Sequence, residues 1–142
     1  MSRRRTMLDT NVLSELLRPE ADARVVAFVE AQTDPIVPAA AFHELIYGIE
    51  LLPPGARKAR LSAGIEIFRR QFRDHTIAID AEIAEIAGRF RAGETRTGLA
   101  LEAMDALIAA CAIAASARLA TRNTKDFERL GIELVNPWAR GE

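Results

Sequence analysis

The sequence predicts an α/β fold built on a mainly parallel sheet. Two observations carry that expectation. Short β-type runs alternate with longer runs of helical period from one end of the 142 residues to the other. In addition, residues 106–117 are apolar almost all round, the mark of a helix buried against a sheet rather than lying on the surface.

Residues 6–8 (Thr-Met-Leu) read as the first strand. Residues 11–18 continue as a helix that Pro19 stops, and Asp22 is placed to cap a second helix reaching about Ala31, with Val25, Val26, Phe28 and Val29 as its apolar stripe. Residues 35–38 (Pro-Ile-Val-Pro) form a brief second strand, and residues 40–52 are helical by period. Pro53-Pro54-Gly55 breaks that helix before another over 56–72, so the two make a helical hairpin. Residues 76–79 are a third strand, and Asp80 caps a helix ending near Gly93. A loop is expected over 94–99, a helix over 102–117, and final strands over 119–121 and 132–135, separated by a loop and a short turn at 127–130. No repeat or linker interrupts the chain, which reads as one domain over 1–142 with a flexible basic start at residues 1–5.

Composition is ordinary for a globular protein, at 49% hydrophobic and 27% charged, so a core large enough for independent folding is expected. A single cysteine, Cys111, has no partner for an intrachain disulfide, which suits a reducing, cytoplasmic setting. The apolar run after the basic start, Thr6-Met7-Leu8, is too short for a signal peptide's core, and the longest apolar stretch, 106–117, is too short to span a bilayer, so no membrane role is expected. Nineteen basic residues against twenty acidic ones give a net charge of −1, which excludes a global basic field of the kind that advertises nucleic-acid binding. Seventeen of those cations are arginine and several cluster, among them Arg57/Lys58/Arg60 and Arg118/Arg122/Lys125; each cluster reads either as a solvated helix face or as a phosphate-binding patch.

Acidic residues stand where a core or a sheet end is expected. Asp9 follows an apolar strand and precedes a helix, at the carboxyl end where open α/β sheets bind ligands; it also reads simply as a helix cap. Asp105 opens the most apolar helix among Leu101, Met104, Leu107, Ile108 and Ala109. An ionised group there is costly unless hydrogen-bonded, paired or bound to a metal, although first-turn dipole stabilisation is an alternative. Glu44 has Ala40, Ala41, Tyr47 and Gly48 one turn away, small neighbours that leave room for a ligand, or it faces solvent. Asp126 follows the loop Thr121-Arg122-Asn123-Thr124 after the penultimate strand and either reaches the same sheet end or occupies the first turn of a short helix. His43 receives no role. Acids without a matching histidine or cysteine set describe an oxygen-ligand site for Mg²⁺, or Mn²⁺ in its place, rather than zinc.

The segments Met7-Leu-Asp-Thr-Asn-Val-Leu-Ser-Glu-Leu, His43-Glu-Leu-Ile-Tyr-Gly, Met104-Asp-Ala-Leu-Ile-Ala-Ala and Ala120-Thr-Arg-Asn-Thr-Lys-Asp-Phe together resemble the PIN-domain ribonucleases, most closely the VapC-type toxins including their FitB-like branch. The resemblance runs from Met7 to the closing Asn136-Pro-Trp. It implies a three-layer α/β/α arrangement and Mg²⁺-dependent RNA cleavage, with Asp9, Glu44 and Asp105 as the acidic metal cluster. Thr10, Thr121, Asn123 and Asp126 would complete the pocket, with Asp126 as a further metal ligand, and Arg122 and Lys125 would contact RNA phosphates. A cognate antitoxin, a homodimer, and a heterotetramer or larger assembly with the antitoxin are implied too, with DNA reached only through that partner. Asn123 departs from the commonest acidic pattern, and a neutral amide holds a cation less strongly than a carboxylate.

A receiver-like regulatory domain phosphorylated on an Asp explains the acids but not their spacing, since Asp9 is followed by Thr10-Asn11 rather than a second acid. Asn11 likewise stands where a haloacid-dehalogenase-like phosphatase carries the second Asp of Asp-x-Asp.

Overall fold

The computed structural model describes residues 4–139. Among them are five strands, β1 (Arg5–Leu8), β2 (Val37–Pro38), β3 (Thr76–Ile77), β4 (Ala117–Ala120) and β5 (Leu134–Val135). Six α-helices lie between them: α1 (Thr10–Leu16), α2 (Ala23–Glu30), α3 (Ala39–Glu50), α4 (Ala56–Gln71), α5 (Ala81–Arg96) and α6 (Ala103–Ala114).

Every strand pair is parallel. β1, β4 and β5 pair in that order, β2 pairs with β3, and a bridge between Met7 and Ile36 joins the two groups. The bridge is carried by Leu8 N donating to Ile36 O and Ile36 N donating to Thr6 O, each at 2.9 Å. The spatial order is therefore β3-β2-β1-β4-β5. The chain leaves β1 toward one edge and later returns to its other side, so the order reverses between β1 and β4, and ligands of open α/β sheets bind outside the carboxyl ends of the strands at such a reversal.

Alternation along the strands divides the core into two faces. Met7, Ile36 and Leu119 pack with Ile83 and Ala87 of α5 and with Ala106 and the buried run Ile108 to Ala112 of α6. Leu8, Val37 and Ala120 pack on the opposite face with Val12, Leu13, Val25, Phe28 and the hairpin residues Leu45, Ile49 and Ile65. This is the three-layer α/β/α arrangement with its helical hairpin, α3 and α4.

Local chemistry accounts for most element boundaries. Asp22 and Asp80 act as N-caps, their carboxylates accepting from Arg24 N at 2.8 Å and Ile83 N at 2.9 Å. The largest departures from expectation are the ends of α5 and α6, while α1 ends at Leu16 and the strands β3 and β5 are each two residues shorter than expected. α5 runs through Gly93 to Arg96 instead of giving way to a loop at Glu94, and it ends at Gly98, whose φ of +81° suits a residue without Cβ. There Gly98 N donates to Thr95 O at 3.0 Å and Leu99 N to Glu94 O at 2.9 Å, a Schellman closure. α6 stops at Ala114 rather than Ala117, because Ser116 turns left-handed at φ +52° and Ala117 enters β4. The turn expected at 127–130 follows a 3₁₀ turn over Thr124–Asp126. Residues 1–3 of the expected flexible start lie outside the described residues, while Arg5 already belongs to β1.

Candidate metal centre

β1 and β4 run side by side, with Leu8 opposite Ala120 as their last register pair, so Asp9 and Thr121 are the next residues out. Asp9 N still donates to Ala120 O at 3.0 Å, and Thr121 N to Val135 O at 2.9 Å, which fixes both main chains at the sheet's carboxyl end. Thr121 is fully buried and its hydroxyl donates to Asp9 Oδ2 at 2.7 Å. Asp9 is also the N-cap of α1, its Oδ1 accepting from Thr10 N at 2.7 Å. Both sequence readings of Asp9 thus describe the same side chain: it caps a helix and it sits at the sheet's ligand end.

Asn11 completes this node. Its amide nitrogen donates to Asp9 Oδ2 at 3.4 Å and to Thr121 Oγ1 at 3.2 Å, while its Oδ1 accepts from Arg122 N at 3.2 Å. Asn123 N donates to the same threonine hydroxyl oxygen at 3.0 Å. With its acceptor side occupied, the hydroxyl proton is committed to Asp9. Sequence reasoning assigned Asn11 no positive role; the available signal was a short amide two residues after an Asp at a strand-to-helix turn, where it can bond back to that Asp.

Glu44 reaches the node from α3, its Oε1 accepting from the Thr10 hydroxyl. That leaves Oε2 without a hydrogen-bond donor among the described residues. Asp105 approaches from the first turn of α6; it is half-buried, and no donor among the described residues reaches its carboxylate. Asp126 lies exposed in the 3₁₀ turn after β4.

The acids are electrostatically coupled. Burial pushes the Asp9 carboxyl above the usual carboxylate range, opposed by the Thr121 and Thr10 bonds and reinforced by the charges of Glu44 and Asp126. Burial, with added repulsion from Asp9, Asp126, Glu44 and Glu102, lifts Asp105 to about 6. Four predicted acids from distant parts of the chain therefore face one another. Even so, among the described residues no three histidine, cysteine or acidic side chains stand close enough together to hold a metal ion.

The remaining predicted residues lie at the rim. Asn123 enters through its main chain, and its exposed side chain has no partner among the described residues. Arg122 is exposed and lies over the Trp138 ring, 4.9 Å from its centroid, and Lys125 is exposed. A groove of about 240 Å³ leads away from Thr10 and Glu44 over an apolar floor of Leu17, Leu45, Ile49 and Leu61, with Arg57 on its lining. His43 is exposed, and buried Cys111, its thiol pushed up to about 11 chiefly by burial, plays no part. No helix among the described residues is long and apolar enough to cross a membrane.

An oxygen-only acid set in which burial and like charges raise Asp9 and Asp105, with no cation paired to it among the described residues, has the donor chemistry of a divalent-metal site. The family comparison agrees with that chemistry. The PIN-domain model matches residues 6–133. The VapC ribonuclease Y4jK of Sinorhizobium fredii is 30% identical over 135 residues, covering 93% of this chain and 96% of its own length. Toxin FitB of Neisseria gonorrhoeae is 34% identical over 135 residues, covering 93% and 97%. Among solved structures, FitAB bound to an IR36 DNA fragment superposes with a TM-score of 0.85 at 31% identity, covering 96% of this chain and 98% of the other. On the family match, the shared length and the common fold together, this chain belongs to the PIN-domain family.

Proposed function

We propose that the protein is a metal-dependent endoribonuclease, a single domain that acts as the toxin of a toxin-antitoxin pair. The observation that carries this reading is the convergence of Asp9, Glu44, Asp105 and Asp126 at the reversal of strand order, each raising or feeling the charge of the others. Their oxygen-only chemistry favours Mg²⁺, with Mn²⁺ as a substitute. Asp9 and Asp105 are the principal metal ligands, Glu44 assists them, and Asp126 closes the set in place of the neutral Asn123.

A divalent ion held by Asp9, Asp105, Glu44 and Asp126 would supply Lewis-acid activation of a water and of a phosphate oxygen. The chain's own residues supply the rest. Thr121, Thr10 and Asn11 hold the Asp9 carboxylate in one orientation, so it meets its ligand without losing rotamer freedom. Thr10 fixes one oxygen of Glu44, and the other is free to orient the attacking water or take its proton. Arg122 and Lys125 at the rim offset the negative cluster and hold RNA phosphates.

The FitB-like kinship and the DNA-bound FitAB assembly support a cognate antitoxin as partner, with DNA contacted through it. A homodimer joined by antitoxin into a heterotetramer or larger assembly is part of the same reading. An apolar cavity of about 420 Å³ between α1 and α4, lined by Leu16, Leu17, Ile67 and Phe68, offers the antitoxin an apolar seat near the N-terminal helices. A cytoplasmic site of action fits an RNA substrate.

Incubation of the purified chain with a panel of structured RNAs, with Mg²⁺ or with EDTA, tests the reading. Cleavage that needs the metal supports it, and absent or metal-independent cleavage across the panel contradicts it.

A further inference from the structure

Among the described residues two arginines lie over aromatic rings, and their hydrogen-bond donors are used differently. Arg118 stands 5.5 Å from the Phe28 centroid, but its guanidinium also donates to the Thr6 hydroxyl at 3.0 Å and to Gln32 Oε1 at 3.1 Å. Those internal bonds make it part of the scaffold. Arg122 lies closer to its ring, 4.9 Å from the Trp138 centroid, yet among the described residues its guanidinium has neither a carboxylate partner nor a hydrogen-bond acceptor.

The residue is nevertheless fixed at both ends. Its backbone nitrogen donates to Asn11 Oδ1, and Asn11 in turn bonds Asp9 and Thr121, so the Arg122 main chain is tied directly to the acid cluster. Its head rests on an indole that is itself buried and packed. Trp138 is 7% exposed, packs in the core with Val12, Val25 and Ala120, and sits in a 3₁₀ turn whose Trp138 N donates to Asn136 Oδ1 at 2.9 Å. A guanidinium held over a ring face by cation–π attraction keeps its N–H donors available to a phosphate.

We propose that Trp138 is a positioning residue for RNA: it presets Arg122 as a phosphate clamp beside the carboxylates. The proposal rests on the ribonuclease reading for its substrate class. A free arginine loses side-chain entropy when it clamps a ligand, and docking on Trp138 removes most of that loss beforehand. Beside four acids that repel a polyanion, a preset cation is also what keeps the phosphate backbone near the site.

The test uses the full chain in five forms: unmodified, Trp138→Phe, Trp138→Leu, Arg122→Ala and the Leu/Ala double variant. Each is measured by anisotropy with a short fluorescein-labelled single-stranded RNA in EDTA, and by cleavage of the same RNA in Mg²⁺, well below each variant's melting temperature. Trp138→Leu should weaken binding and raise KM about three- to fivefold with kcat little changed. Trp138→Phe, which keeps a ring face, should recover most of the loss, and Trp138→Leu should have no further effect in the Arg122→Ala background. Arg122→Ala should lower the slope of log affinity against log salt by about 0.7, the value for one phosphate contact on a single strand. Equal weakening by Trp138→Leu in both backgrounds, a fall in kcat at constant KM, or no weakening at all overturns the proposal. Binding read in EDTA keeps the two readings separate: RNA bound with this coupling but left uncut by the unmodified protein sinks the nuclease reading alone.

Discussion

The Thr121 hydroxyl donates to Asp9 Oδ2 at 2.7 Å across 112 positions of sequence, and it ties the ends of two adjacent parallel strands into one acidic node. Thr121→Val keeps the shape and removes the donor. It also leaves Asn11 Nδ2 and Asn123 N without their shared acceptor. The variant should lose about 1–3 kcal/mol of stability in urea unfolding, the usual cost of breaking a buried polar set, and should cleave RNA more slowly. Unchanged stability and rate would show that the node does not position Asp9.

A pH dependence follows from the raised acids. Burial and like charges lift Asp105 to about 6 and raise Asp9 as well, so the folded protein binds protons more tightly than the unfolded chain. Without metal, the Asp105 contribution to stability is fully present below about pH 4, near the unfolded carboxylate pKa, and is lost as pH rises through about 6, and the raised Asp9 acts in the same direction. Mg²⁺ needs the deprotonated forms, so the rise in melting temperature on adding it should be small at pH 5 and larger at pH 7.5. Equal shifts at both pH values would place the ion elsewhere.

Not every buried acid belongs to the site. Glu15 is 6% exposed, and its carboxylate accepts from Asp22 N at 2.8 Å and from Arg18 at 3.2 and 3.3 Å, which closes the turn from α1 to α2. Glu15→Ala strands a backbone donor and should cost about 1–3 kcal/mol while leaving the cleavage rate per folded molecule near normal. A large loss of kcat at unchanged stability would put Glu15 in the reaction.

Features governed by neighbouring residues were legible in the sequence. Asp22 and Asp80 announce their helices because a cap acts within three residues, and Asp9 and Asp105 stand out as carboxylates inside apolar surroundings. What depended on the tertiary fold was not. Gly93 reads as a helix stop, yet one interior glycine costs only about 1 kcal/mol, and the helix continues to Arg96, past Glu94, which pairs with Arg129 at 3.1 Å. Ser116 gave no sign of its left-handed turn. Asn11 also bonds Thr121 and Arg122, 110 and 111 positions away, and Trp138 meets Arg122 only through the tertiary fold, contacts that no spacing rule reaches.

The central claim is that Asp105 serves a metal and not the core, and Asp105→Asn tests it most directly when apo stability and RNA cleavage are measured on the same preparation. Removing one charge from a self-repelling cluster should leave the melting temperature in EDTA unchanged or higher, while loss of a metal ligand abolishes Mg²⁺-dependent cleavage and reduces the stabilisation by Mg²⁺. A carboxylate kept for a buried structural pair behaves in the opposite way, because breaking such a pair costs about 3–5 kcal/mol. A large drop in melting temperature in EDTA with cleavage retained would contradict the account.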